Sequence, residues 1–500
     1  MIVRKITAPL HSIYVFLLFG VWSVLLGSLI KNTYFDSTSN AKVISLESGI
    51  KNIPTDSEWM TITHHGIKLG YSVYSVANLG NRGYSITSTA HLNLSVAGVE
   101  TKILMKNKVN VDTLFRLTSF DFHMKSDQYL VAARGKKTDR TLHMTIQHGT
   151  ESTSTDIQVP DEIYTYLSIQ PMVAWQGITE GEKIILPAFD PVTLEANQVE
   201  ITHEGKEEIT IGKTSYKLNK IRVLFKGVPS ILWLDDNGLT FREETIMGLV
   251  MEKATPKEAL KMEYDAGEID LMDVYAIQVK PTIKDPSSLQ ELTLAIDGID
   301  PQYLHKFNTD RQKIIQEDPI HLRLRPVSIT QQEASLDTFL VSNVIIQCTH
   351  PKIVELTREL TKNDQTKLEK VNVLNDWVYN YLQKRPVVSL SSALEILDGK
   401  QGDCSEHSTL FTSLSRSMGV PTKIHIGLVY LQGRFLYHAW PVVYLDGQWI
   451  AVDPTLGQSV ADATHITLLE GDFNNITELI NLLGRVKISI IEQKYKKQQL

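Results

Sequence analysis

Alternation of apolar and polar residues over residues 59–255 is the feature that most constrains the fold. Residues 70–96 read GYSVYSVANLGNRGYSITSTAHLNLSV, two alternating runs separated by the turn sequence NLGNRG. Further segments of this kind are TLHMTIQHG, EEITIGKTSYKLNKIRVLF and PSILWLDDNGLTFREETI. Successive side chains of a strand point to opposite faces of a sheet, so the pattern predicts antiparallel strands joined by tight turns. We expect one large antiparallel sheet or open barrel, with YLSIQPMVAW as its one helical interruption.

The sequence changes character twice after residue 255. TPKEALKMEYDAGEID is typical of a helix or linker, and the strand-like YAIQVKP, LQELTLAIDGI, IHLRLRP and FLVSNVIIQ follow it. We interpret 256–347 as a second β-rich domain. Residues 366–382, TKLEKVNVLNDWVYNYL, then place apolar residues every three or four positions, which predicts an amphipathic helix. We assign 348–475 to an α+β domain and 476–500 to a helix or strand tail.

The amino terminus has a composition of its own. Residues 13–30, IYVFLLFGVWSVLLGSLI, form an uncharged apolar run close to the minimum length of a membrane-spanning helix. Arg4 and Lys5 precede it and Lys31 follows, a balance that favours a cytoplasmic amino terminus. We interpret 1–31 as a membrane anchor and 32–58 as a polar linker, with the body outside the cytoplasm. A cleaved signal peptide is the alternative, although no A-x-A-like site follows the run.

Charge and cysteine content exclude several classes of protein. The net charge is −7, and no contiguous basic stretch predicts nucleic-acid binding. Two cysteines, Cys348 and Cys404, are too few for a disulfide-rich scaffold. The chain has no CxxC pair and no dense His/Cys cluster, so we expect no structural metal and no cofactor.

One of the two cysteines opens a helix. In QGDCSEHSTLFTSLSRSMGVPT, apolar residues repeat every four positions, and Gly419 and Pro421 end the segment, which predicts a helix over 404–418. Asp403 is a suitable N-cap and Glu406 can complete a capping box. Cys404 then lies in the first turn, where free N–H groups and the helix dipole favour a thiolate. A small buried residue that happens to open a helix is the alternative.

A histidine and an aspartate are predicted to meet on the following strands. Residues 420–455 read as three strands, and Asp446-Gly447 is typical of a two-residue hairpin loop. That loop pairs Leu445 with Gln448, and the same register brings Asp453 diagonally beside His438 on one sheet face. An imidazole base and a carboxylate that orients it need this arrangement. Taken singly, His438 could be a core histidine and Asp453 a strand end; together with Cys404 they favour a catalytic triad.

Three segments resemble a known family. GDCSEHSTLFTSLSRSMGVPTKIHIGLVY, YHAWPVVYLDGQWIAVDPT and ADATHITLLEGD are similar to the bacterial transglutaminase-like superfamily, relatives of papain-like cysteine enzymes, over roughly 350–475. The resemblance implies a cysteine helix packed on an antiparallel sheet, with Cys404 as nucleophile, His438 as base and Asp453 as orienting acid. It implies thioester-forming acyl transfer on protein or peptide amides. For such a protein we expect a single-pass bacterial inner-membrane location with the body in the periplasm.

Other residues near the predicted triad have ordinary interpretations. Glu406 is interpreted as a cap, His407 as a surface or packing residue, and Trp440 as either a wall of the site or a core residue. Cys348 is interpreted as an inert thiol that closes an apolar strand, although a Cys348–Cys404 disulfide is possible outside the cytoplasm.

Two functions compete at this stage. The first is a membrane-anchored cysteine hydrolase or acyltransferase, in which hydrolysis is favoured over cross-linking because water is always at hand. The second is an envelope binding or scaffold protein without turnover, whose β domain binds an unknown partner. Rapid alkylation of the cysteine at neutral pH would distinguish the first from the second.

Overall fold

The computed structural model describes residues 57–96, 99–126, 129–148, 151–190, 195–245, 248–261, 270, 274–299, 304, 307–309, 311–326, 335–362, 365–386, 391–470, 482 and 484–496. The predicted anchor at 1–31 and almost all of the predicted linker lie outside these ranges. Among the helices inside them, none combines the length and apolar character needed to cross a membrane. Of the described residues, 57–94 and 100–261 group into one compact unit, and 95–99 with 270–496 into another.

Fifteen strands of the described residues form one sheet in the order β8-β7-β6-β5-β4-β3-β2-β1-β15-β14-β13-β12-β11-β10-β9. Strands that follow one another in the chain are adjacent in the sheet, except β8 and β9, which lie at its two ends. In the middle of the order β1 pairs antiparallel with β15, and at one end the two-residue β9 pairs in parallel with β10. This is the large antiparallel sheet that the alternation predicts. The strands are Glu58–His64, Ile67–Asn78, Tyr84–Val96, Val99–Val111, Leu117–Ser126, Tyr129–Thr138, Thr141–His148, Glu151–Gln158, Tyr164–Thr165, Lys183–Asp190, Glu195–Ile211, Thr214–Phe225, Val228–Leu234, Thr240–Thr245 and Leu249–Lys253 (β1–β15).

One helix packs on this sheet. Helix α1, Tyr166–Gln176, is the predicted interruption, and Gly177 ends it in the left-handed conformation. Tyr166 Oη lies 2.9 Å from Glu243 Oε1, and Gln170 Nε2 donates to the Glu58 carboxylate at 2.8 Å. Buried carboxylates on the sheet therefore hold the helix through hydrogen bonds. A short helix α2, Pro256–Leu260, follows the sheet.

The unit at 270–496 combines helices with three small sheets. The strands are Ile277–Gln278, Leu289–Asp297, Gln312–Glu317, Ile320–Leu324, Gln383–Lys384, Gln401–Gly402, Thr422–Leu431, Arg434–Leu445, Gln448–Ala451, Ile466–Glu470 and Lys487–Tyr495 (β16–β26). They pair in the orders β16-β23-β22-β25 with β24 beside β23, β18-β19-β17-β26, and β20-β21. The helices are Pro351–Leu360, Lys367–Tyr381, Ala393–Gly399 and Cys404–Ser417 (α3–α6), and 3₁₀ turns over the whole described chain are Gly80–Arg82, Pro286–Ser288 and Asp337–Leu340.

Helix α6 is the centre of this unit. Every one of its residues except the last is buried, because α3, α4 and α5 contact it on one side and β22 and β23 on the other. Leu410, Phe411 and Leu414 form the predicted apolar stripe and join a core with residues of α3–α5. Burial on all sides fixes the first turn of α6 against the sheet, which is where the candidate site lies.

Two sequence-based assignments differ from the structure. The segment predicted as a separate domain at 256–347 and the predicted tail at 476–500 share a sheet, since β26 pairs with β17. FLVSNVIIQ was expected to be a strand that ends at Cys348, but it forms a 3₁₀ turn and bends. The Asn343 side chain accepts hydrogen bonds from the backbone N–H groups of Ile345 and Ile346, which turns the chain there.

Candidate active site

A capping box fixes the residue that opens α6. The Asp403 carboxylate accepts from Ser405 N at 3.0 Å, and Glu406 Oε2 accepts from Asp403 N at 2.9 Å. The predicted cap is therefore confirmed, and Cys404 is the first residue of the helix. Gly402 makes room for this box, because a Cβ there would lie 2.2 Å from the Glu406 Cβ. These local contacts explain the sequence Gly-Asp-Cys.

The hairpin after α6 has the predicted register. Leu445 pairs with Gln448 and Val442 with Ala451, and Val452 N then donates to Pro441 O at 3.0 Å. His438 and Asp453 are brought together as expected, with His438 Nε2 donating to Asp453 Oδ2 at 2.7 Å. Both side chains are completely shielded from solvent.

The thiol lies beside the strand that carries His438. The backbone N–H of Ala439 donates to the Cys404 sulfur, and Ser408 Oγ donates to Ala439 O at 3.2 Å. His438 Nδ1 is buried and has no hydrogen-bond partner among the described residues. Because Nε2–H donates to Asp453, the assigned tautomer leaves the lone pair on Nδ1. The site thus has a buried thiol and a free imidazole nitrogen on adjoining elements.

The environment of the thiol differs from the sequence-based expectation. Burial raises the pKa of Cys404 well above its usual value, and the neighbouring Asp403 carboxylate raises it further. The hydrogen bond from Ala439 acts in the opposite direction. Position in the first turn favours a thiolate, but the cysteine is 0% exposed and close to the acidic residues of its own cap. Burial therefore favours the thiol over the thiolate in this structure.

A second histidine, not identified from the sequence, shares the carboxylate. His465 Nε2 lies 3.0 Å from Asp453 Oδ2, the same oxygen that His438 contacts. Burial opposes ionisation of Asp453, yet its interactions with His438 and His465 hold the pKa of Asp453 well below its usual range. Asp453 Oδ1 also accepts from Thr455 N and Leu456 N at 2.8 and 3.0 Å. Only the motif ADATHITLLEGD pointed to this region.

His438, Asp453 and His465 are also spaced closely enough to be considered as ligands of a metal ion, the one such group among the described residues. Their ligand atoms lie within 4.8 Å of one another. Hydrogen bonds of 2.7 and 3.0 Å from the two imidazoles to one carboxylate oxygen account for that proximity. We assign the cluster to a hydrogen-bonded chain.

The other residues singled out in the sequence are all buried. His407 donates from Nδ1 to Asp403 O at 2.7 Å, and burial lowers its pKa to about 4, so it is neutral and inside the site rather than on the surface. Trp440 is 0% exposed and packs against both His438 and His465. Cys348 and Cys404 are both free, so the disulfide considered above does not form here.

Fold and site together define a class of protein: a thiol on a helix, packed on a sheet that carries an imidazole and a carboxylate, is the core of cysteine hydrolases and acyltransferases. Residues 354–454 match the transglutaminase-like superfamily, and this part of the chain is a transglutaminase-like domain.

Individual relatives are distant. Kyphoscoliosis peptidase of Homo sapiens is 26% identical over 139 residues, which are 25% of this chain and 21% of that protein. The chain thus spans about a fifth of the length of this curated relative. A solved structure of a candidate cysteine protease from Cytophaga hutchinsonii is 17% identical with a TM-score of 0.29, covering 44% of this chain and 86% of that one. A β-barrel-like protein of the DUF1849 domain from Brucella abortus is 11% identical with a TM-score of 0.32, covering 41% and 96%.

Proposed function

We propose that the transglutaminase-like domain is a cysteine enzyme that cleaves protein or peptide amides, with Cys404 as nucleophile, His438 as base and Asp453 as orienting acid. The observation that carries the proposal is the buried 2.7 Å hydrogen bond from His438 to Asp453, together with a second ring nitrogen that has no partner in the part of the chain that the structure describes. A buried polar atom without a partner is costly, and a neighbouring thiol is the group that this nitrogen can serve.

The chemistry follows from these positions. His438 Nδ1 takes the thiol proton while the sulfur attacks the carbonyl carbon, and the oxyanion is stabilised by the backbone N–H of Cys404. The imidazolium then gives its proton to the leaving amine as the C–N bond breaks, which leaves a thioester. His438 next takes a proton from water, and hydroxide attack on the thioester releases the carboxylate product and the thiol.

The choice of peptide amides as substrate is based on the human relative. The human relative is named a peptidase, which favours hydrolysis of peptide amides over transfer to an amine. An amine in place of water would give cross-linking by the same steps. Because Cys404 is 0% exposed, substrate entry requires an opening of the chain that covers the sulfur.

We also propose that the chain is anchored by residues 13–30. The uncharged run and the basic residues on its amino-terminal side support a single-pass location in a bacterial inner membrane, with the body in the periplasm. Separation of the full chain into membrane and soluble fractions, compared with a chain that begins at residue 57, tests this location. Recovery of the full chain in the soluble fraction would contradict it.

A non-catalytic binding or scaffold function is the second candidate. Complete burial and a raised pKa of Cys404 favour it, since an inert thiol has these properties. The large sheet would then bind a partner of unknown kind.

Alkylation distinguishes the two functions, and the chain contains its own control. Cys348 is also free and buried, 2% exposed against 0% for Cys404. Its sulfur contacts Leu340 O, whereas Cys404 lies beside the strand that carries His438. We expect iodoacetamide to label the Cys404 peptide at least about tenfold faster than the Cys348 peptide at pH 7, by mass spectrometry. His438→Ala should lower the Cys404 rate to that of Cys348. Equal alkylation rates for the two cysteines in the wild type would overturn the proposed enzyme function and favour the scaffold function.

A further inference from the structure

Two imidazoles donate to one carboxylate oxygen in the candidate site. His438 Nε2 and His465 Nε2 lie 2.7 and 3.0 Å from Asp453 Oδ2, and all three side chains are fully buried. A triad needs one of these contacts. The second histidine is therefore a buried titratable group to which the proposed mechanism gives no role.

We propose that His465 is a positioning residue, which holds Asp453 in place and, as an imidazolium, reduces the negative charge that Asp453 presents to His438. The inference rests on the proposed function, because it concerns the group that orients the base. His465 is then a fourth member of the site beside Cys404, His438 and Asp453. The Asp453 carboxylate is shared between His438, whose charge must change during the reaction, and His465, whose charge stays the same.

The charge on His465 follows from the carboxylates on both sides. Its Nδ1 lies 3.3 Å from Asp462 Oδ1, opposite the contact to Asp453. Burial lowers the pKa of His465, but the hydrogen bonds and charges of Asp453 and Asp462 outweigh it and raise the pKa to about 9. Both ring nitrogens then donate, as the two acceptors require.

Asp462 is itself fixed as an ionised acceptor. Its Oδ1 accepts from Thr464 N and Oγ1 at 2.8 and 2.6 Å, and its Oδ2 accepts from Gln458 Nε2 at 2.9 Å. Hydrogen bonds to the charged form keep a carboxylate ionised. Asp462 therefore stabilises the His465 imidazolium through Nδ1, on the side of the ring away from Asp453. Asp453 has the same orienting relation to His438.

Two cationic side chains, Arg311 and Lys384, lie near these hydrogen-bonded residues. The Arg311 guanidinium donates to the carbonyls of Ala461 and Asp462 at 2.6 and 2.7 Å. Lys384, half-buried, faces Asp453 and His407 and adds positive charge. His407 is neutral, so His465 is the cation in direct hydrogen-bond contact with the catalytic carboxylate.

The backbone is built to bring His465 to this place. It precedes β25, which packs against β22 at Gly427, where a Cβ would lie 1.8 Å from Ile466 O. Gln312 holds the same strand in place through two hydrogen bonds. Its Oε1 accepts from Thr467 N at 2.9 Å, and its Nε2 donates to Thr467 O at 2.8 Å. The absence of a side chain at 427 allows β25 to lie this close to β22, and His465 is the residue directly before β25.

The test compares two substitutions that separate charge from contact. His465→Gln keeps an N–H that can donate to Asp453 but removes the positive charge; His465→Phe removes both. We measure the rate of Cys404 alkylation from pH 5 to 10 by peptide mass spectrometry. With the charge removed, Asp453 presents more negative charge to the site and disfavours the thiolate more strongly, so the rise of the Cys404 rate with pH should move up by about 0.5–1 pH unit in His465→Gln. The Phe variant should lose about tenfold or more at every pH.

A matched control is the buried His425, which packs on Trp440 from another position and contacts Thr467 rather than Asp453. His425→Gln should leave the pH dependence of the Cys404 rate unchanged. Equal thermal midpoints for the variants establish that they are folded.

The outcomes separate this inference from the proposed function. If wild-type Cys404 reacts faster than Cys348 but the Gln profile coincides with it, His465 is only structural and the inference is overturned alone. If Cys404 reacts no faster than Cys348, the proposed function fails first. Imidazole ¹⁵N shifts give a readout without reactivity: they should show both nitrogens of His465 protonated at pH 7.5, and a neutral ring there would overturn the inference.

Discussion

At the scale of single residues, Asp453 is the most constrained group in the candidate site. Its two oxygens accept four hydrogen bonds, two from backbone N–H groups and two from imidazoles. A carboxylate is the side chain that can accept all four without donating. An amide at this position would turn a donor toward an imidazole N–H or toward backbone donors, so its effect on the site should exceed the loss of charge.

Asp453→Asn tests that constraint. We expect the alkylation rate of Cys404 at pH 7, and any amidase activity, to fall by about 10²–10⁴-fold, because the imidazole loses its tautomer and its orientation. The measurement is the rate of labelling of the Cys404 peptide, with a thermal melt to show that the variant is folded.

Asp446→Asn is the matched control, the same chemical change in the exposed hairpin turn, where Asn-Gly suits the loop as well as Asp-Gly. It should change neither rate nor melting. A folded Asp453→Asn chain with wild-type reactivity would contradict the orienting role of Asp453.

At the scale of elements, the start of α6 both positions and restrains the thiol. Asp403 and Glu406 belong to the capping box, and burial raises the pKa of Glu406 as it does that of Asp403. Negative charge on either residue raises the pKa of Cys404. The cap that creates the first turn thus opposes the thiolate that the turn would favour.

Glu406→Gln should relieve this opposition. Glutamine retains an oxygen that can accept from Asp403 N, but it removes a negative charge near the sulfur. We expect the pKa of Cys404 to fall and its alkylation rate at pH 7 to rise by about 2–10-fold, measured by labelling of its peptide. Glu395→Gln, in the equivalent capping box of α5 with Ser392, should leave the rate unchanged. A slower Cys404 in a folded Glu406→Gln chain would show that the carboxylate assists the thiol.

Local sequence predicts these elements well, and contacts between distant segments poorly. The bounds of α6, its cap and the register of the hairpin follow from residues within a few positions of one another. The contact of His465 to Asp453 cannot be predicted in this way, because it requires β25 to pair with β22, a strand that is not its neighbour along the chain. The effect of burial on the Cys404 thiol was missed for the same reason, since three other helices and a sheet create it.

At the scale of the whole chain, β strands were easier to recognise than domain boundaries. Alternation predicted one large antiparallel sheet, because nearly every strand of that sheet pairs with its neighbour along the chain, the exception being the step from β8 to β9. The boundary drawn at residue 347 failed to show that β17 pairs with β26, about 200 residues later, and lies in the unit that holds the site. Pairing over such a separation leaves no local signal, so the β-rich segment looked like a domain of its own.

The large sheet carries a titratable group of its own, Glu58. Its carboxylate accepts from Gln170 Nε2 and from Thr240 N at 3.1 Å, and so connects β1 with α1. Burial raises its pKa from 4.5 to about 7, against those hydrogen bonds. The folded state therefore binds the proton more tightly than the unfolded state. The stabilisation is complete below about pH 4.5 and is lost as the pH rises through about 7.

Glu58→Gln should remove this dependence on pH, because glutamine stays neutral while its oxygen can still accept one hydrogen bond. We expect urea unfolding of the full chain at pH 5 to give similar free energies of unfolding for wild type and variant, and at pH 8 a variant more stable by about 1–3 kcal/mol. Glu208→Gln, at an exposed position of the same sheet, should match the wild type at both values. A Glu58→Gln chain that is less stable than wild type at pH 8 would mean that the ionised carboxylate stabilises the sheet, the reverse of what its burial implies.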